Sequence, residues 1–431
     1  MKKTIKEFIK EEVNLKNIRP VKETVSMQTK SIKNNPVIIG VIGSSGKSTS
    51  AYIVYGYLKY LKKRVVLYST IGVYSPCSVI KSDEACEMSF RSKEDIISIL
   101  KEANSYNAEY IVIEVNEENI DLINDLKFDI KLLTNININH TNHINYVNKI
   151  KEFLSDEESL HIIGFFDYDK SLFEELKVNN ALSFSTNYVS TVNSVLPNTH
   201  ECLLLELKDD LKGMDMLFRL NNEEIRIKTK MIMNYNVFNI LGSVLVVNSL
   251  NLFNKDSFQD FILNFSIPGR SEVIDGNIII DTQLSKALEY IKTKKSKENI
   301  RVVIGSVGYG YKYWIKEFQE GNHVENRHKY RKYACSLLDG SVKKVYITEN
   351  DNGKEDVRSI CNELKSYLNN TESEVIIDRK EAIKKAVEEM NTEDVLLIIG
   401  RGNRRVLVNG EESIKLLQDK EVIREIKNGY K

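Results

Sequence analysis

Cysteine is sparse in this chain: five in 431 residues, at Cys77, Cys86, Cys202, Cys335 and Cys361, with no CxxC pair. Such scatter offers neither a disulfide framework nor a zinc site, and reads as reduced structural thiols in a cytoplasmic protein. Excess charge is lacking too. Lys plus Arg number 61 and Asp plus Glu number 61, so nothing suggests a broad electrostatic grip on nucleic acid or an anionic membrane. No apolar run approaches the ~20 residues of a membrane span. The opening MKKTIKEFIKEEVNLKNIRP is charged throughout and lacks the apolar core of a signal peptide. What remains is a globular composition, 42% hydrophobic and 28% charged, in a chain long enough for two or three domains.

From residue 37 onward, short β-rich runs alternate with longer amphipathic segments. VIIGVI, STSAYIVYGYLKYLKK and RVVLYSTIGV read as strand, helix and strand, followed by helical KEDIISILKEANSY and the strands EYIVIEV and DIKLLTNI. This βαβ series implies a parallel, doubly wound sheet, with ligands at the carboxyl ends of its strands. ECLLLELKDD and MLFRLNNEEIRIKTK alternate apolar and polar residues, as antiparallel strands with one wet face do. The helical NVFNILGSVLVVNSL comes next, and SIPGRSE has the punctuation of a junction. A second βα series follows. The expected fold is α/β: a short segment at 1–36, a parallel-sheet P-loop domain at 37–268, and a smaller Rossmann-like α/β domain at 269–431.

The stretch GSSGKST at 43–49 follows an apolar strand and opens a helix. Glycines let backbone N–H groups approach phosphate oxygens, and the helix offers its positive end. Gly43, Ser44, Ser45, Gly46 and Thr49 would line the phosphates, Lys47 would reach the β/γ-phosphates, and Ser48 would place a hydroxyl on Mg²⁺. Position 41 is Val41, so this is the shorter GxxGK[ST] spacing. EYIVIEV ends a strand on Glu114, a second candidate Mg²⁺ ligand. TNININHTNH carries three amides with His140 and His143 beside the loop.

These segments resemble the Mur ligases, the ATP-dependent amide-forming enzymes of peptidoglycan synthesis, from about residue 37 to 410. GVIGSSGKST is similar to the family loop GVTGTNGKTT, and STIG at 69–72 to its GTIG turn. VIEVNEENI resembles MEVSSHAL and puts Glu114 on the family's magnesium-binding Glu. TNININHTN resembles TNISRDHLD, with His140 on its invariant His. NYNVFNIL resembles FNVYNAL, which carries the nucleotide-contacting role to Asn236 and Asn239. GRSEVI resembles GRMEVI, with Arg270 on its invariant Arg, and IIIDTQLSKALE resembles IVDYAHTPDALE, with Asp281 on its Asp. ITENDNGKED and IIGRGNRR are similar to ITSDNPRSED and IAGKGHE. The resemblance implies ATP and Mg²⁺, one ion or two, and an acyl phosphate formed from a carboxylate and then displaced by an amine. Lys47, Glu114, His140 and Arg270 would be catalytic, with Arg270 brought to the phosphates by closure of the second domain. Lys151 aligns with a family lysine that is carbamylated and holds metal; Lys149 competes for that place, and a solvated lysine on a helix face is the plain alternative.

Departures fall on substrate recognition. Tripeptide-forming members carry a separate UDP-binding domain before the loop, where this sequence has residues 1–36, so a carboxylate not linked to UDP is expected. Glu118 stands at the histidine of MEVSSHAL and could ligate Mg²⁺ in its stead. The element that receives the amino acid is here Asp351, Asn352, Gly353 and Lys354. The loop whose acid holds the amine end of diaminopimelate carries Arg404 and Arg405, which reverses the local charge and suggests an acidic group on the amine substrate. The expected activity is therefore a carboxylate–amine ligase acting on small molecules, monomeric, without nucleic acid or membrane partners. The alternatives are a muramoyl-peptide ligase with altered substrate anchoring and a non-catalytic ATP-binding module.

Overall fold

The computed structural model describes residues 35–75, 79–81, 93–116, 119–123, 125–136, 143–164, 180–186, 201–309, 323–409 and 412–429. Two compact units result. The first takes the described residues within Met1–Leu207, Met216–Ile227 and Tyr235–Phe261, and the second those within Lys208–Asp215, Lys228–Asn234 and Ile262–Lys431.

The first unit is built on β1 (Val37–Ile42), β2 (Val65–Ser69), β3 (Gly72–Tyr74), β4 (Val79–Lys81), β5 (Tyr110–Glu114), β6 (Ile130–Leu133), β7 (Leu160–Gly164) and β8 (Ala181–Thr186). They share an 11-stranded sheet with β9 (Cys202–Asp210), β10 (Gly213–Leu220) and β11 (Glu223–Thr229), in the order β11-β10-β9-β8-β7-β6-β1-β5-β2-β3-β4. β1 is parallel to β5 on one side and β6 on the other, with Val41 opposite Glu114 and Ile42 opposite Leu133. Its Val/Ile run is buried because helices cover both faces of a parallel sheet. β9, β10 and β11 follow one another through two-residue turns, which only antiparallel neighbours allow. Burial alternates strictly along β10, as its sequence alternation predicts.

One face of this sheet carries the helices Lys93–Ser105 and His143–Phe153 over a core of Ile38, Ile42, Ile111, Phe128 and Leu133. Within it Lys131 on β6 is fully buried, and its ammonium, 4.5 Å from the Phe153 ring centroid, bonds Phe153 O and Asp156. Burial alone would raise the Asp156 carboxyl, but hydrogen bonds from Lys131 and Ser159 outweigh it and hold it well below its usual range. The helix Lys47–Tyr60 packs instead against Asn236–Ser249, the apolar helix read from NVFNILGSVLVVNSL.

The second unit contains β12 (Glu272–Ile274), β13 (Ile278–Asp281), β14 (Ile300–Ile304), β15 (Lys344–Ile347), β16 (Glu372–Val375) and β17 (Val395–Ile399), in the order β12-β13-β17-β14-β15-β16. All are parallel except β12, an antiparallel edge. Asp356 and Asp378 cap the helices Val357–Ser366 and Arg379–Glu388, accepting from Ser359 N at 2.8 Å and Glu381 N at 3.0 Å. A small hairpin, β18 (Val406–Asn409) with β19 (Glu412–Lys415), follows the sheet, and the helix Asp419–Gly429 packs back on Arg379–Glu388. Sequence periodicity placed neither of these last features; for the hairpin, four-residue strands carry too few alternations to register.

Two buried polar networks brace this sheet. Arg331 is 1% exposed and forks onto Glu355 at 2.6 and 2.6 Å and onto Glu363 at 2.7 Å, while donating to Val307 O. It thereby ties the helix His323–Leu338 to the loop after β14. At the start of β15, Lys344 meets Glu372, Glu374 and Glu389, and Tyr346 donates to Glu389 at 2.6 Å. Burial works against the Glu389 carboxylate, yet these donors lower its pKa to about 2. A carboxylate depressed in this way contributes stability above its ordinary 4.5 and loses it as pH falls toward 2. The second unit should therefore unfold at progressively lower urea concentration between pH 5 and 2. Lys344→Met should be less stable at pH 7 and show a shallower acid decline, read by urea titrations at several pH values.

Candidate functional site

The loop between β1 and the helix Lys47–Tyr60 turns on two glycines in left-handed conformations, Gly43 at φ 144° and Gly46 at φ 81°. Both also lie too close to their neighbours for a side chain. A Cβ on Gly43 would stand 2.2 Å from Thr134 Oγ1, and one on Gly46 2.1 Å from Asn239 Oδ1. The loop is sewn to the segment after β6. Ser44 N donates to Asn135 O at 2.9 Å, Ser45 N to Asn135 Oδ1 at 3.0 Å, and Thr134 Oγ1 and Asn135 Nδ2 each donate to Ser45 O at 2.7 Å. Lys47 folds back, its Nζ 2.7 Å from Gly43 O. Beneath the helix, Asn239 donates to Asn236 Oδ1 at 2.9 Å and accepts from Ser50 Oγ at 3.4 Å. Asn236 and Asn239 are each 3% exposed, so they buttress the first turn from below. With Gly46 as its cap, this helix presents its leading N–H groups where an anion would sit.

Glu114 closes β5, 3% exposed, directly across from the loop. Its Oε1 accepts from Ser48 Oγ at 2.7 Å; its Oε2 accepts from Ser69 Oγ at 2.5 Å and Thr70 N at 2.8 Å. Thr70 Oγ1 lies 3.0 Å from Ser48 Oγ and 3.2 and 3.1 Å from the two carboxylate oxygens. Among the described residues no Lys, Arg or His forms an ion pair with Glu114. A hydroxyl and a carboxylate within 3 Å, both hard oxygen donors beside a phosphate loop, fit Mg²⁺, which takes one or two carboxylates and completes its shell with phosphate and water. Thr70, Ser69, Thr134 and Asn135 were not singled out from sequence as site residues, although the STIG and TNI segments that contain them were.

Other expected residues fall elsewhere. His140 and Glu118 lie outside the described residues. Lys151 sits half-buried in the last turn of His143–Phe153, and Lys149 pairs with Asp121 at 2.8 Å. In the second unit, Arg270 donates to Thr282 Oγ1, and the carboxylate of Asp281, 2% exposed, accepts from Ser271 N and Oγ at 2.8 Å each, Thr282 N at 2.6 Å and Gln283 N at 2.8 Å. Asp281 thus anchors the segment that carries Arg270. Asp351 is fully buried, Asn352 donates to Glu355 O at 2.7 Å, and Lys354 is exposed. Arg404 and Arg405 are partly buried, and each is paired within the chain. Arg404 is committed to Asp351, and Arg405 to Glu421 at 2.5 Å. The charge reversal read from the sequence is compensated inside the protein by carboxylates distant in the chain.

A strand, a glycine-turned loop on a helix N-terminus and a carboxylate at the end of the adjacent strand define a P-loop protein of the α/β class. The family follows from comparison. The Mur ligase middle domain matches residues 41–247, and the Mur ligase, glutamate ligase domain matches residues 270–402. Together these span most of the chain, which belongs to the Mur ligase family and is an ADP-forming ligase of C–N bonds. It is similar to the UDP-N-acetylmuramoyl-L-alanyl-D-glutamate–2,6-diaminopimelate ligase of Helicobacter pylori, 25% identical over 90% of this chain and 83% of that one. The enzyme of the same name from Clostridium perfringens is 24% identical over 98% of this chain and 85% of its own. Among solved structures, folylpolyglutamate synthase from Thermotoga maritima shares the fold with a TM-score of 0.64 at 13% identity, covering 92% of this chain and 89% of that one. No helix among the described residues is long and apolar enough to cross a membrane.

Gly46→Ala tests the loop. The added methyl must displace Asn239 from below while the backbone stays left-handed, a strain of about 1–3 kcal/mol. The variant should melt earlier and lose most of its affinity for a fluorescent ATP analogue. Removing the clash with Asn239→Ala should recover part of the stability, as followed by thermal unfolding.

Proposed function

We propose that this ligase joins a carboxylate to the amine of an amino-acid-like molecule through an acyl phosphate. A carboxylate oxygen of the donor attacks the γ-phosphorus of ATP and ADP departs. The amine nitrogen then attacks the acyl carbon, phosphate leaves, and the amine proton passes to solvent. The observation that carries the reading is the convergence of Lys47, Ser48 and Glu114 at one loop, since phosphoryl transfer asks the protein chiefly for positioning and charge neutralisation. Lys47 would leave Gly43 O for the β/γ-phosphates, and residues 43–49 would supply backbone N–H groups. Ser48 and Glu114 would hold Mg²⁺, which neutralises charge on the transferred group. Asn236 and Asn239 would keep the first helical turn in place. Lys151 is kept as the proposed site of a carbamate ligand to a second ion. Action as a cytoplasmic monomer belongs to the same proposal.

The donor in this reading is a carboxylate not linked to UDP. A second reading, a muramoyl-peptide donor held in a different way, is favoured by the names of the relatives from Helicobacter pylori and Clostridium perfringens. Phosphate release from ATP, measured with UDP-linked muramoyl peptides and with nucleotide-free carboxylates against a panel of amino acids, separates them. Turnover should require both a carboxylate and an amine, and mass spectrometry should find the condensed product. Lys47→Ala should reduce that turnover by about 10²-fold or more. Nucleotide binding with no phosphate release under any pairing would make the chain a non-catalytic module and defeat the proposal.

A further inference from the structure

Ligands of open parallel sheets bind beyond the carboxyl ends of the strands, near the point where strand order reverses. In the second unit that region includes residues 305–309 after β14 and the segments after β15 and β17, and Asp351 lies among them. Gly308 N donates to Asp351 O at 2.8 Å, so the loop after β14 closes on the loop after β15. The Asp351 carboxylate is completely enclosed and both of its oxygens are engaged. Oδ1 accepts from Val408 N at 2.8 Å and stands 3.8 Å from Arg401 Nη1, while Oδ2 receives Arg404 Nη1. Arg404 donates further to Gly400 O at 3.3 Å.

A carboxylate in such a place is the natural partner for a substrate ammonium. Here an arginine of the chain already occupies that place. Arg401 adds a second guanidinium, 2% exposed, which donates to Val406 O at 3.0 Å and whose Nη1 makes no hydrogen bond. Arg379, whose charge acts on Arg401, is committed to Asp419 through bonds of 2.8 and 2.8 Å, and half-buried Glu349 accepts from Arg379 N at 3.4 Å. An arriving ammonium would meet two guanidinium groups and one carboxylate each of whose oxygens already accepts a hydrogen bond. Bringing a third cation out of water to that point is unfavourable on both counts.

We propose that Arg404 is a built-in counter-cation that closes the Asp351 position to substrate ammonium groups, making the acceptor an amino acid without a second amine. This rests on the ligase reading, with the second unit as the acceptor side. Matched pairs of amino acids isolate the extra ammonium: L-norleucine against L-lysine, and 2-aminopimelate against 2,6-diaminopimelate. Calorimetric titration of the full chain, saturated with Mg²⁺ and a non-hydrolysable ATP analogue, should show the monoamine bound about tenfold or more tightly than the diamine in each pair. Arg404→Ala, which uncovers Asp351, should reverse the preference by a similar factor, while Arg404→Lys, which keeps a cation there, should retain it. If Arg404→Ala fails to fold, the wild-type ratio and the Arg404→Lys ratio still decide. Equal binding of the two partners, a wild-type preference for the diamine, binding of neither, or an unchanged ratio in Arg404→Ala overturns the inference. Failure of the ligase reading would show itself separately, as absence of ADP-forming turnover with every amine.

Discussion

The nucleotide end of the first unit depends on the carboxylate of Glu114. It lies buried at the end of a strand, where an isolated charge would be costly. Three hydroxyls and one backbone N–H converge on it, from Ser48, Ser69 and Thr70, and no protein cation among the described residues pairs with it. Hydrogen bonds make the burial tolerable and hold the carboxylate in place, yet they leave its charge uncompensated. One of those donors, Ser48, is also the hydroxyl that follows Lys47 in the phosphate loop. A divalent cation entering between them would take two oxygens already aimed at each other and would have to break only the 2.7 Å bond that joins them.

The second unit shows the opposite treatment of a buried carboxylate. Asp351 also follows a parallel strand, and it too is shut away from water. Its charge is met by Arg404 and Arg401, and a backbone N–H fills a remaining lone pair. The first carboxylate is left for an incoming cation, and the second is closed to one. Both states follow from which side chains the adjoining loops deliver, on two sheets of the same parallel type. The buried Arg331 network bonds Val307 O, next to the Gly308 N–H that donates to Asp351 O.

Much of this was legible in the sequence. The buried Val/Ile runs of β1, β5 and β6 and the glycine loop after β1 are local signals, and the parallel sheet followed from their alternation with amphipathic helices. Glu114 could be placed at a strand end because EYIVIEV is short and apolar up to that residue. What stitches the loop down was harder to read, since Thr134 and Asn135 lie 89 and 90 residues from Ser45 and reach its backbone through their side chains, a pairing no local pattern reveals. Arg404 was read as an exposed anion receiver for the same reason: Asp351 stands 53 residues earlier, and only the meeting of β15 and β17 ends, across β14, brings the two together. Buried Lys131 on β6 was likewise silent, because its partner Asp156 lies 25 residues away beyond a helix.

Nucleotide chemistry at this loop depends on Glu114 as an oxygen ligand poised beside Ser48. A crystal structure with Mg²⁺ and a non-hydrolysable ATP analogue tests this directly. The Ser48–Glu114 hydrogen bond should open and the ion should sit between the two, about 2.1 Å from Ser48 Oγ and bound to the Glu114 carboxylate directly or through one water. An ion held by the phosphates alone, with the Ser48–Glu114 bond intact, would contradict it.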